Sequence, residues 1–114
     1  MFTIMHLNEK PFNKIKNGTK TIEMRLFDGK RKFLTVGDTI EFINKANENE
    51  TMEVEVLGVH IYPTFKELYQ NFSKQELGYD DDEVPSYKDM VEYYPLSEQE
   101  KNCVVGIEIK VIKQ

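Results

Sequence analysis

Residues 18–26 carry the pattern that most restricts how this chain can fold. Apolar and polar side chains alternate from Ile22 to Leu26, and this period of two is typical of a strand with one face on a core. Glu23 and Arg25 are two residues apart and therefore project from the same polar face. Since a strand holds its side chains at fixed angles, this carboxylate and this guanidinium would be positioned in advance for a ligand.

Lys20 is close to this pair in sequence, but strict strand alternation would place its side chain on the opposite face. It follows Gly18, so a bulge or the long lysine stem could bring its ammonium to the polar face. The alternative is that Glu23 and Arg25 form only a solvated surface pair, which contributes roughly 0–1 kcal/mol to stability. The pattern alone leaves both interpretations open.

The composition predicts one domain over residues 1–114, because a chain of this length builds a single core. It contains no long apolar run, and its start lacks the apolar core of a signal peptide, so we expect no membrane span. The single cysteine, Cys103, allows no internal disulfide and opens an apolar run, which favours a buried inert thiol. These features together predict a cytoplasmic protein.

The net charge of −5 is unevenly distributed. Residues 1–35 carry eight Lys or Arg against three acidic residues, whereas residues 36–114 carry seven against seventeen. A basic cleft on an acidic chain favours a small anionic or RNA-derived ligand over long duplex DNA, which needs a broad basic face. The alternative is that the basic run at residues 30–32 is only a charged loop.

Five segments have the alternation expected of strands. They are residues 2–7, 18–26, 39–43, 51–61 and 103–112. Helices are predicted at 9–17, from Thr64 onward and at 86–94, and Glu67 completes a capping box with Thr64. Turns are predicted at 44–50, which is rich in Asn and Glu, and at 97–100. We therefore predict an α+β fold, a small barrel of about five mainly antiparallel strands with helices packed around it.

An ordered series of motifs covers nearly the whole chain. It comprises PF at 11–12 with IKNG at 15–18, KTIEMRL at 20–26, VGDTIEF at 36–42, YPTF at 62–65 with EL at 67–68, YY at 93–94 and VVGI at 104–107. The series resembles the ASCH family, as a small single-domain member of bacterial type. The resemblance implies a PUA-like β-barrel with a cleft between barrel and helices.

The resemblance implies two classes of function. The first is a module that binds RNA or a modified nucleoside in a cleft containing Glu23. Lys20, Arg25 and the basic loop would contact phosphate, and Tyr62 or Tyr94 would stack on a base. Each tyrosine could instead be an ordinary residue at the edge of the core.

The second class is a hydrolase, because some very small ASCH proteins are N(4)-acetylcytidine amidohydrolases with a catalytic Lys, Thr and Glu. The Lys matches Lys20 and the Glu matches Glu76, but the position of the Thr holds Glu23. Without that nucleophile, water would attack the amide with Glu23 or Glu76 as general base. Because of this replacement we favour the binding module over the enzyme.

Other sites are poorly supported by the sequence. A ribonuclease, known in parts of the family, would need an acid–base pair, but His6 and His60 lie in apolar strands and are interpreted as structural. The acidic run at 80–83 lacks the spacing of a calcium loop. With no glycine-rich phosphate loop and no His/Cys cluster, we predict no cofactor and no metal site. The oligomeric state is left open.

Overall fold

The computed structural model describes residues 2–114, which form five strands, four helices and two 3₁₀ turns. The strands are β1 (Phe2–Leu7), β2 (Ile22–Leu26), β3 (Thr39–Asn44), β4 (Asn47–Tyr62) and β5 (Val104–Lys113). The helices are α1 (Glu9–Lys16), α2 (Phe65–Tyr69), α3 (Lys74–Leu77) and α4 (Leu96–Asn102), and the 3₁₀ turns span Gly29–Phe33 and Tyr87–Met90.

The strands form one sheet in the order β1-β3-β4-β5-β2. Only the β1–β3 pair is parallel, and the other three pairs are antiparallel. The sheet curls into a half-barrel with helices around it, so the predicted α+β fold with mainly antiparallel strands is confirmed. The two end strands, β1 and β2, are connected by a side chain, since Arg25 Nη2 donates to the His6 carbonyl at 2.9 Å.

Two apolar cores hold the helices in place. The larger core fills the half-barrel and includes Phe12 and Ile15, the buried residues of α1. The second core lies between β2 and the segment 62–94, where Ile22 and Met24 meet Phe65. The second core takes up the apolar side chains of β2, and a cleft lies beside the polar side chains of that strand.

Local capping explains where α2 begins. Thr64 precedes the helix, and its N–H donates to Glu67 Oε2 at 3.1 Å, as the capping box predicts. No helix within residues 2–114 is both long and apolar enough to cross a membrane.

Sequence predictions for two segments outside β2 are wrong in detail. The turn predicted at 44–50 is shorter, because β3 continues to Asn44 and β4 begins at Asn47. The buried Asn44 side chain closes that turn by accepting from Ala46 N at 2.9 Å and donating to Glu50 at 3.0 Å. The helix predicted at 86–94 is only a 3₁₀ turn, since this segment bends to pack Tyr87, Met90 and Tyr94 on the second core.

Candidate functional site

A cleft of about 280 Å³ lies beside β2, between the end of β1 and the segment that follows the second 3₁₀ turn. Its lining residues are His6, Leu7, Asn8, Pro11, Lys20, Glu23, Met24, Arg25, Lys45, Met90, Tyr93 and Tyr94. The polar face of β2 therefore forms one wall of a concave site, and this wall carries the three charged residues singled out in the sequence.

Glu23 joins the three charges into one cluster. Its Oε2 accepts from Arg25 Nε at 2.7 Å, and its Oε1 lies 3.6 Å from Lys20 Nζ. Glu23 and Lys20 are each only 5% exposed, so this is not the solvated surface pair of the alternative interpretation. Burial reduces screening by water and makes the relative placement of the three groups much better defined than at a surface.

Lys20 reaches the cluster because it is not part of β2. The strand begins at Ile22, whereas the backbone N–H groups of Lys20 and Thr21 donate to the carbonyls of Lys14 and Glu76 at 3.0 and 3.1 Å. The strand predicted at 18–26 is therefore too long by four residues. Freed from strand parity, the lysine stem turns toward Glu23, and Nζ also donates to the Leu77 carbonyl at 2.9 Å.

The surroundings shift the acid–base properties of the two cations in different directions. Burial lowers the pKa of the Lys20 ammonium, and the neighbouring Glu23 carboxylate offsets only part of that shift. Burial also opposes the charge of Arg25, but the contact with Glu23 outweighs it and raises the pKa of the guanidinium. Lys20 is therefore the member of the cluster that gives up its proton more readily than usual.

Aromatic side chains form the opposite wall of the cleft. Tyr94 packs against the ring of Phe65 with centroids 5.8 Å apart, and burial raises the pKa of its phenol. Tyr93, in contrast, is 65% exposed at the cleft mouth. The buried Gln99 fixes this segment by accepting from Phe65 N at 3.0 Å and donating to the Tyr94 carbonyl at 2.8 Å.

Two residues that sequence reasoning placed in the site do not line the cleft. Tyr62 packs edge-on against Phe72 in the second core, with centroids 6.3 Å apart. Glu76 lies in the first turn of α3 and completes its capping box, where its Oε1 accepts from Ser73 N at 2.8 Å. Both side chains are therefore occupied by local packing and capping.

Sequence reasoning missed three other residues of the cleft wall. His6 was interpreted as structural, but its half-exposed ring lines the cleft. Lys45 enters from the β3–β4 turn, because the parallel pairing of β1 with β3 brings it beside Leu7, whose carbonyl accepts from Lys45 N at 2.8 Å. Tyr93 carried a weak signal as the neighbour of Tyr94 in the YY motif, whereas nothing local indicated Lys45.

The chemistry available in the cleft is that of binding and proton transfer. Lys20 and Arg25 supply donors, Glu23 supplies acceptor oxygens, and tyrosine rings supply flat apolar faces. Within residues 2–114, the structure contains no group of three or more His, Cys, Asp or Glu side chains that could hold a metal ion.

Two solved structures resemble the whole chain. The crystal structure of the hypothetical protein PH0355 is 31% identical, with a TM-score of 0.82 over 98% of this chain and 100% of that one. The solution structure of protein PF0455 from Pyrococcus furiosus is 29% identical, with a TM-score of 0.70 and complete coverage of both chains.

A third solved structure and a family comparison concern the ASCH domain. The ASCH domain from Lactobacillus crispatus JV V101 has a TM-score of 0.65 at 15% identity, covering 99% of this chain and 80% of that one, and thus shares its fold. Among curated proteins, the comparison finds no match. The ASCH domain family matches residues 5–113, nearly the whole length of the chain. This protein therefore belongs to the ASCH domain family.

Proposed function

We propose that the cleft binds a nucleoside unit of RNA, or a modified nucleoside, as a recognition module. The observation that carries this proposal is the buried Lys20–Glu23–Arg25 cluster on one wall of a cleft whose other wall is aromatic. Membership of the ASCH family supports it, because this family is linked to RNA binding. The net charge of −5 makes a broad duplex surface a poorer fit than a local cleft.

The cluster provides both kinds of hydrogen-bonding partner that a base edge requires. Glu23 accepts from amino or imino groups of a base, while Arg25 and Lys20 donate to its carbonyl oxygens. The ion pairs hold these side chains in place before the ligand arrives, which reduces the ordering cost of binding. A base between this wall and the tyrosines would also bury its flat faces.

Stacking in this proposal involves Tyr93 and Tyr94. Tyr94 already packs on Phe65, which holds its ring in place, and Tyr93 is exposed at the cleft mouth where a base enters. Stacking on an aromatic ring contributes about 1–3 kcal/mol per base in single-stranded complexes. Tyr62 has no part in it, because its ring is committed to Phe72.

Binding of short single-stranded RNA, followed by fluorescence anisotropy, tests this function. Glu23→Gln and Tyr93→Ala should each weaken binding about tenfold, which corresponds to 1.4 kcal/mol. Glu53→Gln is the matched control, since it removes the same charge from β4 outside the cleft. Equal RNA affinity in all three variants would exclude the cleft as the binding site, and cleavage of the RNA during the assay would indicate a ribonuclease instead.

A second candidate function is hydrolysis of an N(4)-acetylcytidine-like amide, favoured by the lowered pKa of buried Lys20 beside Glu23. Water would add to the acetyl carbon as Glu23 takes up its proton. The bond between the acetyl carbon and N4 would then break as that proton passes to N4, which yields acetate and cytidine. Glu76 takes no part, because its carboxylate caps α3. Cytidine release that is lost in Lys20→Ala but retained in Lys32→Ala would establish this enzyme in place of the binding module.

A further inference from the structure

A second cavity, of about 380 Å³, opens beside the cleft at the gap between the two end strands of the sheet. We call it the seam groove, and it is lined by Ile4, Met5, His6, Arg25, Lys30, Arg31 and Lys45. Four of these seven side chains are Lys or Arg, and none is a carboxylate. His6, Arg25 and Lys45 line the cleft as well, so the two cavities are adjacent and share these side chains.

Among residues 2–114, carboxylates compensate only two of the four cations of the seam groove. Arg25 pairs with Glu23 at 2.7 Å, and Arg31 pairs with Asp28 at 2.6 Å. Lys30, in contrast, donates to a neutral acceptor, the Ile4 carbonyl, at 2.5 Å. Lys45 forms no salt bridge with any residue that the structure describes.

The lysines of the seam groove are therefore free to attract an anion. Glu48 lies near the groove, but it approaches His6 Nε2 at 3.9 Å and pairs with neither lysine among the residues described. A lysine ammonium has three donors, and the Ile4 carbonyl satisfies only one of those on Lys30. Its remaining donors, with those of Lys45, suit the oxygens of a phosphate group.

The other end of the cleft has the opposite character. Beyond Lys20 lies a cavity of about 220 Å³ whose walls include Lys10 and Lys14. There Lys14 pairs with Asp80, and Lys10 lies 3.7 Å from both Asp80 and Glu83. Since carboxylates neutralise the cations at this end, the cleft attracts an anion only from the side of the seam groove.

We infer that the seam groove is a phosphate subsite, so that the ligand of the cleft is a phosphate-bearing nucleotide, free or within an RNA chain, rather than a free nucleoside. This inference rests on the proposed function, because the cleft must hold the nucleoside part. Lys30 and Lys45 contact the phosphate, and Lys32 does not, although it lies in the same basic run. The asymmetry of charge gives the ligand one orientation, with its phosphate toward β1.

The test compares cytidine, its 5′- and 3′-monophosphates and a short single-stranded RNA by calorimetry and anisotropy. A phosphate-bearing ligand should bind at least about tenfold more tightly than cytidine, because Lys30 and Lys45 add charge-assisted contacts to the phosphate. The double variant Lys30→Gln/Lys45→Gln should abolish this advantage. The single variant Lys30→Gln, at a residue that lines the seam groove and not the cleft, should reduce the advantage and leave cytidine affinity unchanged. Lys32→Gln, which removes an exposed charge from the same loop, should change neither affinity.

Salt dependence gives an independent measurement. The slope of log affinity for RNA against log salt should fall by about 0.7 for each lost phosphate contact in the double variant. Cytidine binding without any advantage for phosphate-bearing ligands, or RNA binding that is unchanged in the double variant, would overturn the subsite and leave the proposed function standing. Failure of the wild type to bind any of the four probes would overturn both.

Discussion

The side chain of Lys20 crosses Gly78 so closely that a Cβ on residue 78 would lie 2.9 Å from Lys20 Cδ. Gly78 ends α3 with φ of +103°, a conformation that glycine adopts without steric cost. The carbonyl of the preceding residue, Leu77, accepts from Lys20 Nζ at 2.9 Å. The end of α3 thus holds the ammonium of Lys20 through the Leu77 carbonyl, while Gly78 leaves room for the lysine stem.

Gly78→Ala should therefore disturb both the backbone and Lys20. The positive φ alone costs about 1–2 kcal/mol for a residue with a Cβ, and displacement of the buried lysine stem adds to this loss. Gly37→Ala is the matched control, since φ there is +96° and nothing lies within 4 Å of the added Cβ. Urea unfolding should show a larger loss for Gly78→Ala, and equal losses would mean that the lysine adapts freely.

Lys20 should make the free energy of unfolding rise with pH below its ordinary pKa of 10.5. Its folded pKa is lowered by burial, so within the window between the two pKa values the unfolded chain holds a proton that the folded chain has lost. Unfolding then takes up a proton, and raising the pH favours the folded state. The unfolding free energy of wild type minus that of Lys20→Met should increase as the pH rises across this window and level off above it.

Using the difference between two proteins removes the contribution of the tyrosines. Burial raises the pKa of Tyr69, Tyr79 and Tyr94, and groups with a raised pKa lose stability as the pH rises through their folded pKa. These terms are shared by wild type and Lys20→Met. A difference in unfolding free energy that does not change with pH would contradict the lowered pKa of Lys20.

The alternating pattern around Glu23 and Arg25 was sufficient to predict a strand with two charges on one face. It also predicted that the apolar positions of this strand enter a core, because period two is a local property of the chain. Lys20 could be placed only roughly, since its position depends on backbone hydrogen bonds to α1 and α3, which are distant in sequence. Strand parity is thus a good guide inside the strand and a poor one just outside it.

The remaining parts of the site depend on tertiary contacts that no local pattern records. Lys45 reaches the cleft through the parallel pairing of β1 with β3, which is the exception in a sheet predicted to be mainly antiparallel. The segment 86–94 has helix-compatible spacing, but packing on the second core bends it into a 3₁₀ turn and an aromatic wall. Such rearrangements follow from the fit between elements rather than from propensity.

Gln99 should support the aromatic wall without touching the ligand. It is 2% exposed and connects Phe65 N with the Tyr94 carbonyl, so Gln99→Met leaves the buried N–H of Phe65 without its partner. We expect a loss of about 1–3 kcal/mol in unfolding free energy and broadened NMR signals of Tyr93 and Tyr94. Asn102→Met is the control, because its side chain bonds only Glu98 within α4. Similar losses in both variants would exclude this role.

Arg25→Lys should open the gap between the two end strands of the sheet. Arg25 uses Nε for Glu23 and Nη2 for the His6 carbonyl, at 2.7 and 2.9 Å, and a single ammonium does not reproduce this planar fork. One of the two bonds is lost, at about 1–2 kcal/mol of stability, and β1 is held less firmly to β2. Backbone amide exchange measured by NMR should therefore quicken in β1 relative to β4.

Arg31→Lys is the matched control, because it loses a comparable fork to Asp28 and the Leu26 carbonyl. Asp28 lies in the same loop as Arg31 and Leu26 ends β2, so neither partner belongs to β1 and exchange in β1 should stay unchanged. Faster exchange of β1 in both variants, or in neither, would show that Arg25 does not close the half-barrel.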